Sequence, residues 1–380
     1  MSILFEPMKI KNLDLRNRFV RSATGDGCAD EAGHITDKHI KLFADLADGG
    51  IGLIITGLTY VHHSGQISST QMSIASDDCI LGLKRLTAVI HERGGKIAVQ
   101  LSHAGRESAK FLKSKGRIAK GPSIVENDPY FSEAYQTMTV DDIWEIIGAF
   151  GDAAKRAREA DFDAVQLHGA HAYLLSQFLS PFTNRREDDW GGSLEKRIRF
   201  HREVINDIKA KAGDDYPVLI KTGGQDGFPG GLQLDEGKQA AQLLAQWGYD
   251  ALEISQGLRG KGFEGTEFRT NIKSIDQEGY FRDWCKEIKN LVNVPVMTVG
   301  GLRTFELMEE IIEKKEADFI SLCRPFIRQP GLVNEWKSGN RSRATCISCN
   351  KCLTALRNGQ NARCIQNEEE RNRQKQREGL

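Results

Sequence analysis

The residues with the most chemistry in this chain stand close together. His168, His171 and Tyr173 fall within six residues, directly after the apolar run Phe162–Leu167. An imidazole N–H can hold a carbonyl oxygen and stabilise charge that builds on it, and a phenol can deliver a proton. Two rings for a carbonyl and one for a proton suit hydride addition to an activated alkene. Cys346, Cys349, Cys352 and Cys364 form a second concentration, spaced C-x2-C-x2-C-x11-C. In a reducing compartment such a bunch points to metal rather than to disulfides. An iron–sulfur cluster suits three close thiolates and a fourth further on. Zinc and unmetallated thiols are the alternatives. Cys28, Cys79 and Cys285 are scattered and read as ordinary small or buried residues.

These groups need a platform, and the rest of the chain supplies a repeating one. Short apolar runs alternate with segments of helical periodicity. The expected strands are Asn17–Thr24, Ile51–Tyr60, Lys96–His103, Phe162–Gly169, Pro217–Gly223, Asp250–Gln256, Pro295–Gly300 and Asp318–Arg324. Their cores are nearly continuous apolar runs, the pattern of strands covered on both faces in a parallel sheet. Thr139 is expected to cap a helix with Asp142 at its third position and a stripe of Ile143, Ile146, Ile147, Phe150 and Ala154. Asp235 and Ser193 read as further caps, and Gly248 as a helix end. Eight strands alternating with helices predict a (β/α)8 TIM barrel. A doubly wound sheet is the alternative. It usually carries G-x-G-x-x-G after its first strand, where this chain reads RSATGDG. Residues 3–16 read as a small hairpin or lid. Residues 1–338 make the barrel and residues 339–380 a Cys-rich extension that ends in a solvated, mixed-charge helix.

A barrel of this kind works at the C-terminal ends of its strands. Gly300 and Gly301 at the seventh strand, then Cys323 and Arg324 at the eighth, match the usual phosphate cradle. Gln100 and Lys221 could read the polar edge of a ring carrying carbonyls and an anionic nitrogen. Ser22, Ala23, Thr24 and Gly57 are small enough to lie under a flat ring. FMN needs that set. The long stretches Ala104–Met138, Ser180–Gly192 and Leu258–Glu278 follow strand ends, where loops carry specificity.

Composition narrows the rest. Lys+Arg and Asp+Glu are both 52, so global charge argues against a nucleic-acid or membrane-surface binder. No apolar run approaches a membrane span, and MSILFEPMKI lacks a signal-peptide pattern. A cytoplasmic protein is expected.

The segments HGAHAYLLSQFLSPFTNRREDDWGGSLEKRIRF, VQLSHAGR and KIKNLDLRNRFVRSAT resemble the old yellow enzyme family of NADH:flavin oxidoreductases. The resemblance runs to about residue 338. It implies non-covalent FMN reduced by NAD(P)H docking over the same flavin face, which accounts for the missing dinucleotide fingerprint. It gives His168 and His171 the substrate, Tyr173 the proton, and Gln100, Lys221, Gly301 and Arg324 the flavin. CISCNKC with Cys364 is similar to the [4Fe-4S] segment of the 2,4-dienoyl-CoA reductase and trimethylamine dehydrogenase branch. Members of that branch continue into a dinucleotide-binding half, so an electron-transfer partner is one expectation and a homo-oligomer another. Lys221 stands where many relatives have arginine, and Gly25 where some carry a redox-tuning cysteine. The expected activity is NAD(P)H-driven reduction of a carbonyl-activated alkene. Amine dehydrogenation and an electron-transfer subunit are the alternatives.

Overall fold

The computed structural model describes residues 2–262 and 264–378. In chain order the strands are β1 (Met8–Ile10), β2 (Leu13–Leu15), β3 (Phe19–Arg21), β4 (Leu53–Tyr60), β5 (Ile97–Ser102), β6 (Lys120–Gly121), β7 (Gln136–Thr137), β8 (Ala164–Gly169), β9 (Val218–Gln225), β10 (Ala251–Gln256), β11 (Val296–Thr298) and β12 (Phe319–Leu322). Eight of them close a parallel barrel in the order β3-β4-β5-β8-β9-β10-β11-β12, and the fold is a (β/α)8 barrel. Every expected strand is present in it. β5, β8 and β10 are buried along their whole length, as continuous apolar runs require.

β1 and β2 form the expected hairpin, but it is a plug rather than a lid. Ile10, Leu13 and Leu15 pack with Leu53, Ala98, Ala164, Leu219, Ala251 and Phe319, which lie at the N-terminal ends of the barrel strands. The site must therefore be at the opposite mouth.

The outer helices hold the strands from behind. The helix Val140–Glu159 starts with a capping box between Thr139 and Asp142, and its stripe Ile143, Ile146, Ile147, Phe150 and Ala154 is buried. Gly248 ends the helix Leu234–Trp247 in the left-handed region, φ 91°. The N-cap of that helix is Gln233, not Asp235. Asp235 sits inside the first turn, where its charge meets the positive helix end and pairs with Lys238 at 2.8 Å. Ser193 holds the N-cap position ahead of Leu194–Arg197, but its side chain makes no cap bond. The helix breaks at Ile198 and restarts as Arg199–Ala212. Phe200 in that second piece stacks on Phe178 with ring centroids 4.4 Å apart. Phe178 lies in the helix Leu174–Leu179 that begins next to Tyr173, so the stack anchors the segment carrying the rings. Truncating either Phe to Ala costs about 3–5 kcal/mol.

After Trp336 the chain runs back over the barrel mouth. Ala344 N donates to Arg303 O at 3.0 Å and Ala362 N to Asp26 O at 2.8 Å. A helix spans Lys351–Arg357, and the charged tail forms the helix Ile365–Glu378 with no buried residue. Among the described residues no helix is long and apolar enough to cross a membrane.

Candidate active site

The C-terminal mouth of the barrel opens into a cavity of about 890 Å³. Ser22, Ala23, Thr24, Gly57, Gln100, His168, His171, Tyr173, Lys221, Gly300, Gly301, Cys323 and Arg324 all line it. Residues expected from separate strands thus converge on one space.

The ring cluster owes its shape to an unusual turn. His168, the penultimate residue of β8, is in register with Lys221 of β9. His171 and Ala172 then take left-handed backbone angles, φ 59° and 65°. Non-glycine residues pay about 1–3 kcal/mol each for this, and the surroundings hold them there. His171 N and Ala172 N donate to Gln256 O and Gly257 O, both at 3.0 Å, at the end of β10. Gln177 Nε2 donates to Ala172 O at 2.6 Å and Ala104 O at 2.9 Å. The turn brings His168 Nε2 to 3.1 Å from His171 Nδ1, and the Tyr173 ring to 4.5 Å from the His168 ring, edge to face. His171 Nε2 meets Ser255 Oγ at 2.8 Å.

Burial, with Lys221 and Arg259 nearby, pushes both imidazoles well below their ordinary range, so both are neutral at pH 7. A neutral pair shares one proton between the facing nitrogens. A carbonyl oxygen entering between them can accept from both only if His168 carries its proton on Nε2 and His171 on Nδ1. The Ser255 hydroxyl, 2.8 Å from His171 Nε2, supports that state when it donates to that nitrogen. His168 Nδ1 is buried without a partner among the described residues.

The long stretch after β10 builds the roof and carries residues that sequence reasoning missed. Arg259 binds Glu267 through Nη2 at 2.7 Å and Nε at 2.9 Å, and reaches Glu107 at 3.4 Å. Its guanidinium lies 5.8 Å from the Tyr173 ring. Burial raises the Tyr173 phenol, and Arg259 opposes that rise. Burial also raises the Glu107 carboxyl, whereas at Glu267 burial is opposed by Arg259 together with further hydrogen bonds, which hold the carboxyl low. Only tertiary structure joins Arg259 to Glu267 and to Glu107 on another loop.

At the far end of the cavity Gly301 has φ 72°, and a side chain there would meet the Tyr280 ring at 2.9 Å. Arg324 begins a short helix, and its Nη1 donates to Arg269 O at 2.8 Å and Asn350 Oδ1 at 2.5 Å. That leaves guanidinium N–H groups for an anion. Cys323 Sγ lies 2.9 Å from Thr24 Oγ1. A side chain on Gly57 would strike Thr24 O at 2.7 Å, so glycine is needed there for strand packing as well as for a flat floor. Donors at one end, a cation and an amide at the floor, and small residues between them fit a phosphorylated flat ring. Arg186 and Arg197 bind backbone carbonyls of Pro122, Met138, Leu179 and Gly192, and so brace the segment after β8.

The four clustered cysteines sit beside this end. Cys352 lines the cavity, Cys349 is exposed, and Cys346 and Cys364 are half-buried. Ser348 and Asn350, flanking Cys349, are both left-handed. Arg303 Nη1 donates to Cys346 O at 2.7 Å, and Arg328 Nη1 lies 3.7 Å from Cys364 Sγ. Burial raises the Cys346 thiol and pushes Cys352 up to about 12, with Arg324 opposing both. Among the described residues no three of these sulfurs lie within 4.8 Å of one another. A zinc ion with ~2.3 Å bonds would hold them closer.

Residues 3–342 match the model of the NADH:flavin oxidoreductase / NADH oxidase family. The chain belongs to this family. An NADPH dehydrogenase of a Geobacillus species is 34% identical over 333 residues, covering 87% of this chain and 92% of that protein. An NADH oxidase of Thermoanaerobacter brockii is 37% identical over 349 residues, 91% of this chain but 52% of its own length. A solved 2-naphthoyl-CoA reductase complex superposes with TM-score 0.84 at 27% identity, covering 92% of this chain and 54% of that one. This chain therefore spans about half the length of the last two. Membership accounts for the NADH:flavin features read from the sequence without deciding the substrate.

Proposed function

We propose that the chain binds FMN in the barrel mouth and uses NAD(P)H to reduce a carbon–carbon double bond activated by a carbonyl. The observation that carries this is the pair His168 and His171, 3.1 Å apart at their facing nitrogens, with the Tyr173 ring against His168. Bound FMN would accept hydride from the nicotinamide and give it to the β-carbon of the alkene. His168 and His171 would exchange their mutual hydrogen bond for two bonds to the substrate carbonyl and so stabilise the developing enolate. Tyr173 would protonate the α-carbon. Ser22, Ala23, Thr24 and Gly57 would floor the flavin, with Gln100 and Lys221 at its polar edge. Gly300, Gly301, Cys323 and Arg324 would hold its phosphate.

In the same reading residues 1–338 are the flavin barrel and residues 339–380 a cluster-bearing extension. Cys346, Cys349, Cys352 and Cys364 would hold a [4Fe-4S] cluster, whose negative charge Arg303, Arg324 and Arg328 would offset.

The test is anaerobic purification, flavin, iron and sulfide analysis, and turnover of simple enones. Bound FMN and NAD(P)H-dependent formation of the saturated ketone are expected. Failure to take up FMN on reconstitution, or NAD(P)H oxidation that leaves every enone intact, would refute it.

A further inference from the structure

A line of hydrogen bonds runs beneath the cavity floor. Gln100 Nε2 donates to Gln166 Oε1 at 2.8 Å, and Gln166 Nε2 to Glu253 Oε2 at 2.9 Å. Lys221 Nζ donates to Glu253 Oε1 at 3.3 Å and to Ser22 Oγ at 2.8 Å. Lys221 and Glu253 are register partners on β9 and β10. Ser22, Gln100 and Lys221 line the cavity, whereas Glu253 lies below it, its side chain 0% exposed. An ammonium has three N–H groups. Among the described residues two have partners, and the third is available to whatever lies on the floor.

A carboxylate this deep is costly and survives only with partners. The purpose of the pair follows from where its two charges stand. Lys221 touches the cavity and Glu253 does not. Alone, the lysine would put a full positive charge under the ring edge in a medium that screens poorly. Such a charge favours the ring with extra electrons. The carboxylate 3.3 Å behind it turns that charge into a dipole. It also fixes the ammonium against β10, so the third N–H keeps one direction.

We propose that Glu253 positions Lys221 and offsets its charge, making the bound flavin a weaker oxidant than Lys221 alone would make it. This rests on the FMN reading given above.

The experiment compares wild type, Glu253→Gln, and the double variant Lys221→Met with Glu253→Gln, each saturated with FMN. The readouts are the flavin midpoint potential and the dissociation constant for sulfite, which binds oxidised flavin as an anion. Glu253→Gln is expected to tighten sulfite by about tenfold or more and raise the potential by the corresponding ~30 mV of a two-electron couple. A smaller rise, none, or a fall overturns the proposal. Should Glu253→Gln fail to fold, the double variant decides, because neutral residues of similar size replace a buried ion pair with little loss. Its sulfite affinity is expected within about fivefold of wild type, since both charges leave together. A larger weakening would mean that Glu253 offsets nothing. Quenching of FMN fluorescence in the same samples separates the two readings. A wild type that binds no FMN overturns the proposed function and this proposal with it. A wild type that binds FMN beside an unmoved Glu253→Gln overturns this proposal alone.

Discussion

Ser255 Oγ lies 2.8 Å from His171 Nε2, where a donating hydroxyl would leave the opposite nitrogen of His171 free to donate. With the hydroxyl donating to Nε2, the ring proton stays on Nδ1, beside His168. Ser255→Ala is therefore expected to weaken carbonyl ligands by about tenfold, roughly one hydrogen bond, and to leave FMN affinity unchanged. Ser255→Thr restores it. Ligand titration of the FMN-loaded protein checks this, and equal affinities in wild type and Ser255→Ala would show that the tautomer is set elsewhere.

The pair Arg259 and Glu267 acts on Tyr173 with opposite signs. The guanidinium favours the phenolate and the carboxylate disfavours it. Arg259→Gln should move the alkaline limb of the oxidative half-reaction to higher pH and slow protonation about tenfold. Glu267→Gln should move the limb to lower pH. Stopped-flow pH profiles of the variants read both shifts, and shifts of the same sign would contradict the assignment.

His201 gives a prediction about stability rather than turnover. It is fully buried, neither ring nitrogen has a partner among the described residues, and burial pushes its pKa down to about 3. An unfolded histidine takes up its proton near 6.5, so below that pH the unfolded state binds more protons and stability falls by about 1.4 kcal/mol per unit. Between pH 7 and pH 5 wild type should lose about 2 kcal/mol more than His201→Leu. Asp226, whose carboxyl burial raises to about 6, works the other way. Its contribution is present at low pH and lost as pH rises through that value. It is common to both proteins and cancels in the comparison. Urea unfolding at the two pH values measures the difference, and parallel losses would contradict it.

The barrel was legible because each strand is a short apolar run and each helix repeats on its own period. Thr139 with Asp142 was legible because a capping box is local. Asp235 misled because an acidic residue suits both the cap and the first turn, and only the backbone distinguishes them. Strand ends named the lining of the cavity, since in this fold position along a strand fixes position in space. Glu253 left a trace, a lone carboxylate within the apolar run Ala251–Ile254, but its meeting with Lys221 depends on register between strands. The left-handed turn at His171 and Ala172 had no local cue, because distant carbonyls on β10 hold it.

The proposed role of Tyr173 is to protonate a substrate held by His168 and His171 over a bound flavin. Its most direct test is one anaerobic mixing experiment. FMN-loaded protein is reduced with one equivalent of NADH or NADPH and mixed with an enone, and flavin re-oxidation is followed in wild type and Tyr173→Phe. Wild type should re-oxidise with formation of the saturated ketone, and Tyr173→Phe should do so at least about 100-fold more slowly after an unchanged reductive step. Re-oxidation at equal rates, or reduced flavin that persists in the presence of every enone, would contradict it.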